Sequence, residues 1–80
     1  MAIYISIKKT DGDEKTWYYL FTNAEEKPYG LMAIDVESGD IELIETYNES
    51  RIHFAYPRAR RALKRAFEEG TLGNEHCYAA

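Results

Sequence analysis

Apolar and polar residues alternate strictly at the start of the chain. Ile3, Ile5 and Ile7 fall between Tyr4, Ser6 and Lys8. A period of two is the mark of a strand with one buried face. The next run, from Thr16 to Thr22, places Trp17, Tyr18, Tyr19, Leu20 and Phe21 between threonines. Aromatic residues suit the pleated, half-buried surface of a sheet. Asp11-Gly12-Asp13 separates the two runs and reads as a turn, so the pair predicts a hairpin. Asn23 to Pro28 is polar and predicts a loop. Tyr29 to Ile34 and Ile41 to Tyr47 predict a third and a fourth strand.

Between these last two, Asp35 can accept from backbone amides ahead of it, and Gly39 can take a positive φ without steric cost. If Asp35 faces Asp40, then Ile34 faces Ile41 and Met32 faces Leu43, and these four share one face. The opposite face then shows Leu31, Ala33, Glu42 and Ile44.

After Asn48 to Ser50 the period changes. Ala59, Ala62, Leu63, Ala66 and Phe67 lie at i, i+3, i+4, i+7 and i+8, the apolar stripe of an amphipathic helix. Pro57 suits a first helical position, with Tyr56 outside the helix, and Gly70 suits the residue just past its end. The predicted helix therefore runs over 57–69 and is about 20 Å long. It is too short to be stable alone and must be held by packing. The tail over 71–80 shows no period, though Leu72, Cys77 and Tyr78 are candidate anchors.

These elements predict an α+β fold, a four-stranded antiparallel β-meander with one C-terminal helix packed on one face, formed as a single domain over residues 1–80. The helix is expected on the face carrying Ile3, Ile5, Ile7, Met32, Ile34, Ile41 and Leu43, where every position is apolar. One helix cannot cover both faces. Tyr4, Tyr18, Leu20, Leu31 and Ile44 are thus expected on the uncovered side, beneath either the tail or a partner. The layout is similar in style to many short bacterial proteins, a likeness of architecture with no activity to transfer.

Composition narrows the functional classes. With 80 residues, 45% of them hydrophobic and 30% charged, the chain has an ordinary globular balance. A domain of this size buries only roughly 60% of its unfolded surface. No apolar run reaches the roughly 20 residues that span a membrane. The first residues show no charged region followed by an apolar stretch and a small-residue cleavage site, so a secretory signal is not expected. The single cysteine, Cys77, excludes an internal disulfide. A cytoplasmic location is the expectation.

The net charge of −4 speaks against a general nucleic-acid binder. It is unevenly spread. Residues 1–50 carry four lysines against eleven acids, a net of −7, and residues 51–80 carry six cations against three acids, a net of +3. Much of the positive charge is a helix face of Arg58, Arg60, Arg61, Lys64 and Arg65, spanning about 160° of arc. Lys64 and Arg65 can pair with Glu68 and Glu69 at i, i+4, which leaves Arg58, Arg60 and Arg61 free. The face is either a solvated surface or a site for phosphate and acidic partners.

No constellation for catalysis emerges. His76 and Cys77 are adjacent and point apart on an extended chain, whereas a nucleophile and its base must meet in space. Cys77 is expected as a small buried anchor or an inert thiol. His53, His76 and Cys77 lack metal-ligand spacing. The acid pairs Glu25/Glu26 and Glu68/Glu69 are sequence neighbours and face no cleft. Neither a P-loop nor a dinucleotide fingerprint occurs, and no cofactor or metal is expected.

Eleven aromatics, seven of them tyrosines, favour a protein interface as well as a core, because a tyrosine ring is apolar and its hydroxyl can bond. The expectation is a non-enzymatic protein-binding module of inhibitor, immunity or adaptor type that engages a protein partner or itself. Its candidate contact residues are Tyr4, Tyr18, Leu20, Leu31 and Ile44 with the five cations of the helix. The alternative is nucleic-acid binding through those five cations.

Overall fold

The four alternating segments form strands β1 (Tyr4–Gly12), β2 (Thr16–Thr22), β3 (Pro28–Asp35) and β4 (Ile41–Thr46) in a computed structural model that describes residues 3–80. Helix α1 (Ile52–Glu68) and strand β5 (Glu75–Ala79) follow. The strands make one five-stranded sheet in the order β4-β3-β2-β1-β5, and every neighbouring pair is antiparallel. The fold is α+β, with one helix packed on the sheet.

The β3–β4 turn closes as its residues require. The Asp35 amide donates to the Asp40 carbonyl at 2.9 Å. The Asp35 carboxylate accepts from the amides of Glu37 at 2.8 Å and Ser38 at 3.1 Å. Gly39 takes φ +81°. Ile34 therefore pairs with Ile41 and Met32 with Leu43. Beyond Met32 the register shifts, so that Leu31 pairs with Glu45 and Ile44 is the extra residue of a bulge.

Three expectations need correction. The sheet has five strands rather than four, because residues 75–79 pair with β1. Their side chains alternate between half-buried and exposed, but His76 and Ala79 do not read as apolar and polar. The first strand runs on through Asp11 and Gly12, and the turn lies beyond them, where the Asp13 carboxylate accepts from the Lys15 and Thr16 amides at 2.8 Å.

The helix begins at Ile52, with Tyr56 helical and Pro57 inside it. Proline there removes a hydrogen bond to the His53 carbonyl and costs about 3 kcal/mol in a helix interior. Burial of Ile52 and Ala55 in the core offsets that cost, since a fully buried large aliphatic chain contributes about 1.5–3 kcal/mol.

One side of α1 faces one side of the sheet. Ile52, Ala55, Ala59 and Leu63 share a core with Ile5, Ile7, Tyr19, Phe21, Met32 and Ile34. Ile3, Ile41, Leu43, Ala62 and Phe67 pack around its margin. This is the sheet face that the sequence marks for the helix. The last turns of α1 also clamp the β3–β4 turn. Phe67 lies so close over Gly39 that a Cβ there would meet its ring at 2.5 Å. The Lys64 ammonium donates to the Gly39 carbonyl at 2.8 Å.

Two measurements test this packing. In urea, Leu63→Ala is expected to cost about 2–5 kcal/mol, Phe67→Ala less because its ring is only half-buried, and exposed Arg61→Ala no more than about 0.5 kcal/mol. Equal midpoints for the three would contradict the docking of α1. The second concerns acid. Backbone amides hold the Asp35 carboxyl below its ordinary value of 3.8. Its contribution is therefore present above pH 3.8 and lost as the pH falls through the lower, folded-state value. Asp35→Ala is expected to be less stable than wild type at neutral pH and to lose less on acidification, read from urea midpoints across that range.

Candidate protein-binding surfaces

Since α1 covers one face, the residues paired between the core positions form the other. Tyr18 lies opposite Ala33, Leu20 opposite Leu31, and Leu31 opposite Glu45. Ala33 is buried, Tyr18, Leu20 and Leu31 are half-buried by their neighbours, and Ile44 beside them is 41% exposed. The structure thus gathers Tyr18, Leu20, Leu31 and Ile44 into one apolar patch on β2, β3 and β4. Glu42 and Glu45 bound it on the β4 side and Lys8 on the β1 side. No described residue folds over it, because the tail is spent on β5.

Tyr4 does not join this patch. It lies opposite Ala79 at the far end of β1, 48% exposed. There it borders two shallow hollows of about 460 and 400 Å³ that Asn23 and Ala24 also line. Lys8 sits 3.9 Å from Glu26 and 4.0 Å from Glu75. These exposed pairs contribute about 0–1 kcal/mol each and serve mainly to define a charged border.

The helix cations are more committed than the sequence implies. Arg58 lies over the Phe54 ring at 4.2 Å and donates to the Phe54 carbonyl at 2.9 Å, so it is not free. Lys64 is held by Gly39 rather than by Glu68. Arg65 is 3.5 Å from Glu69, the pairing expected from their spacing. Arg60 lies beside Tyr56, whose hydroxyl has its pKa raised by burial and pulled back by that cation. Arg61 alone of the five shows no such engagement among the described residues. An array of five free cations is therefore not what the fold presents.

His76 and Cys77 point to opposite sides of β5. The His76 Nε2 accepts from the Gly73 amide at 3.0 Å, with its ring 6.2 Å from that of Tyr19. Cys77 is exposed on the other side, which corrects the expectation of a buried anchor; Leu72 and Tyr78 do pack against the core. The adjacent pair therefore cannot act as nucleophile and base. His53 is exposed in the first turn of α1. No group of three or more His, Cys, Asp or Glu residues stands together among the described residues. No described helix is long and apolar enough to cross a membrane.

What sequence reasoning missed is the outer border of the sheet. Between α1 and β5 runs an open groove of about 420 Å³, whose lining includes Arg61, Arg65, Glu69 and His76. The one signal in the sequence is the alternation of His76 and Tyr78 with Glu75, Cys77 and Ala79. Tyr19 ties this border to the core: its hydroxyl donates to the Gly73 carbonyl at 2.6 Å.

Comparison with protein families, with curated proteins and with solved structures gives no match.

Burial pushes the Tyr19 hydroxyl from its ordinary 10.0 up to about 12. Its folded-state pKa is raised, so its contribution is complete below pH 10 and lost as the pH rises through about 12. Tyr19→Phe is expected to cost about 1 kcal/mol at neutral pH by leaving the Gly73 carbonyl without this donor. It should also flatten the alkaline loss of stability, as read by thermal melts from pH 9 upward.

Proposed function

We propose that the protein is a non-enzymatic, cytoplasmic protein-binding module, of inhibitor, immunity or adaptor type, that presents the open face of its sheet to a protein partner. The single observation that carries this reading is the apolar patch of Tyr18, Leu20, Leu31 and Ile44 on the sheet, with no described residue folded over it. Uncovered apolar surface with a charged border is the usual form of a protein contact site. Glu42 and Glu45 beside the patch favour a partner whose own apolar surface has basic residues at its rim. The cationic face of α1 supports nucleic-acid binding less well, because Arg58, Lys64 and Arg65 are engaged within the fold.

Capture on immobilised protein, after nuclease treatment, tests the assignment. Ile44→Asp and Leu20→Asp are expected to abolish retention of a partner that wild type and Arg61→Glu both hold, with circular dichroism unchanged. Retention that survives both open-face substitutions but is lost in Arg61→Glu would move the site to the helix.

A further inference from the structure

We propose that the outer edge of β5 binds β5 of a second copy of this chain, in an antiparallel pairing centred on Cys77, so that two five-stranded sheets become one. The inference does not rest on the open-face reading, since it uses a different surface.

The hydrogen-bond pattern of β5 supplies the first reason. Ile3 and Ala80 exchange both backbone bonds, at 2.8 and 3.0 Å, and the Lys9 amide donates to the Asn74 carbonyl. In an antiparallel ladder, bonded and non-bonded pairs alternate. Tyr78 and His76 therefore direct their backbone groups to β1, while Glu75, Cys77 and Ala79 direct theirs outward. Cys77 borders both the groove on the helix side and the hollow on the open face, as a strand with no outer neighbour among the described residues does. An unpaired row of this kind is a template for another strand.

The edge also matches itself. With Cys77 on a two-fold axis, Cys77 exchanges bonds with Cys77 of the other copy, and Glu75 does so with Ala79. No outward donor or acceptor of these three residues is left over, and no carboxylate faces another. On the helix side His76 comes opposite Tyr78, an aromatic cross-strand pair.

Charge adds a third match. β5 runs back along α1, so Glu69 lies toward its Glu75 end and Arg61 toward its Ala79 end. The two-fold brings each copy's unengaged Arg61 to the side where the other's Glu69 lies. Because the axis stands perpendicular to the sheet, both helices remain on the same face and flank the seam. The opposite edge of the sheet has no such fit: β4 carries a bulge at Ile44 and the acids Glu42 and Glu45, features that deter strand addition.

A five-residue strand pair with helix flanks is small for an interface. A concentration-dependent dimer is therefore expected, best read by light scattering on eluting protein up to about 1 mM. Cys77→Pro removes only an outward amide and leaves the β1–β5 ladder intact. It deletes both central bonds at once and should weaken dimerisation by at least about tenfold. Cys77→Lys, which sets two cations face to face on the axis, should weaken it too while leaving the monomer folded. Ile44→Asp should leave it unchanged, which separates this interface from the open-face site.

Cross-linking reads the register. Paired Cys77 residues would have Cα atoms about 5.5 Å apart, within disulfide range. Diamide, taking up the two electrons and two protons as the thiols join, should give a covalent dimer. Glu75→Cys in a Cys77→Ser background should not, because its thiols would be about 14 Å apart along the strands. A wild-type protein that stays monomeric throughout, a dimer that Cys77→Pro and Cys77→Lys leave intact, or cross-linking as efficient at position 75 as at 77 would overturn the proposal.

Discussion

Ala55, Ala59, Leu63 and Ala66, set against Ile5, Ile7, Met32 and Ile34, determine how closely α1 lies to the sheet. Three of the five buried helix positions are alanine, so the backbone can come near and the large strand residues fill the space. A domain of this size has little other apolar surface to bury. That contact overrides the proline: Pro57 sits within α1 because the turn before it brings Ile52 and Ala55 into the same core.

Both ends of the sheet are then fixed from the C-terminal end of α1. On one side Phe67 and Lys64 hold the β3–β4 turn through Gly39. On the other, Gly70 adopts φ +73° just past the helix, and the Thr71 amide bonds back to the Ala66 carbonyl at 2.9 Å. The chain reverses there, and Gly73 receives the Tyr19 hydroxyl and donates to His76. β5 lies beside β1 because the helix ends where it does. One buried tyrosine thus couples the core of the sheet to its border strand.

This economy leaves two kinds of surface unpaid. A single helix covers a single face, so Tyr18, Leu20, Leu31 and Ile44 remain on the other. β5 lies at the border of the sheet, and its outward backbone groups have no partner among the described residues. The first surface lacks apolar contact and the second lacks hydrogen bonds. The charges near the two differ: acids border the patch, while Arg61, Arg65 and Glu69 line the groove beside β5.

The sequence by itself determined the four-strand meander, the Asp35 turn with its register, the Gly70 stop and the helix face that packs on the sheet. Those features follow from local periodicity and from turn residues acting on their near neighbours. It also placed Tyr18, Leu20, Leu31 and Ile44 on one face, since strand alternation fixes sides without reference to the rest of the fold. Only the tertiary structure decided the helix start, the fifth strand, the separation of Tyr4 from the patch and the engagement of Arg58 and Lys64. The fifth strand and the hold on Lys64 depend on partners distant in sequence, β1 and Gly39. The helix start depends on packing that outweighs a local preference at Pro57, and it places Phe54 one helical turn before Arg58. The border strand was hardest to read, because half of its side chains are exposed and its backbone partner, β1, lies at the other end of the chain.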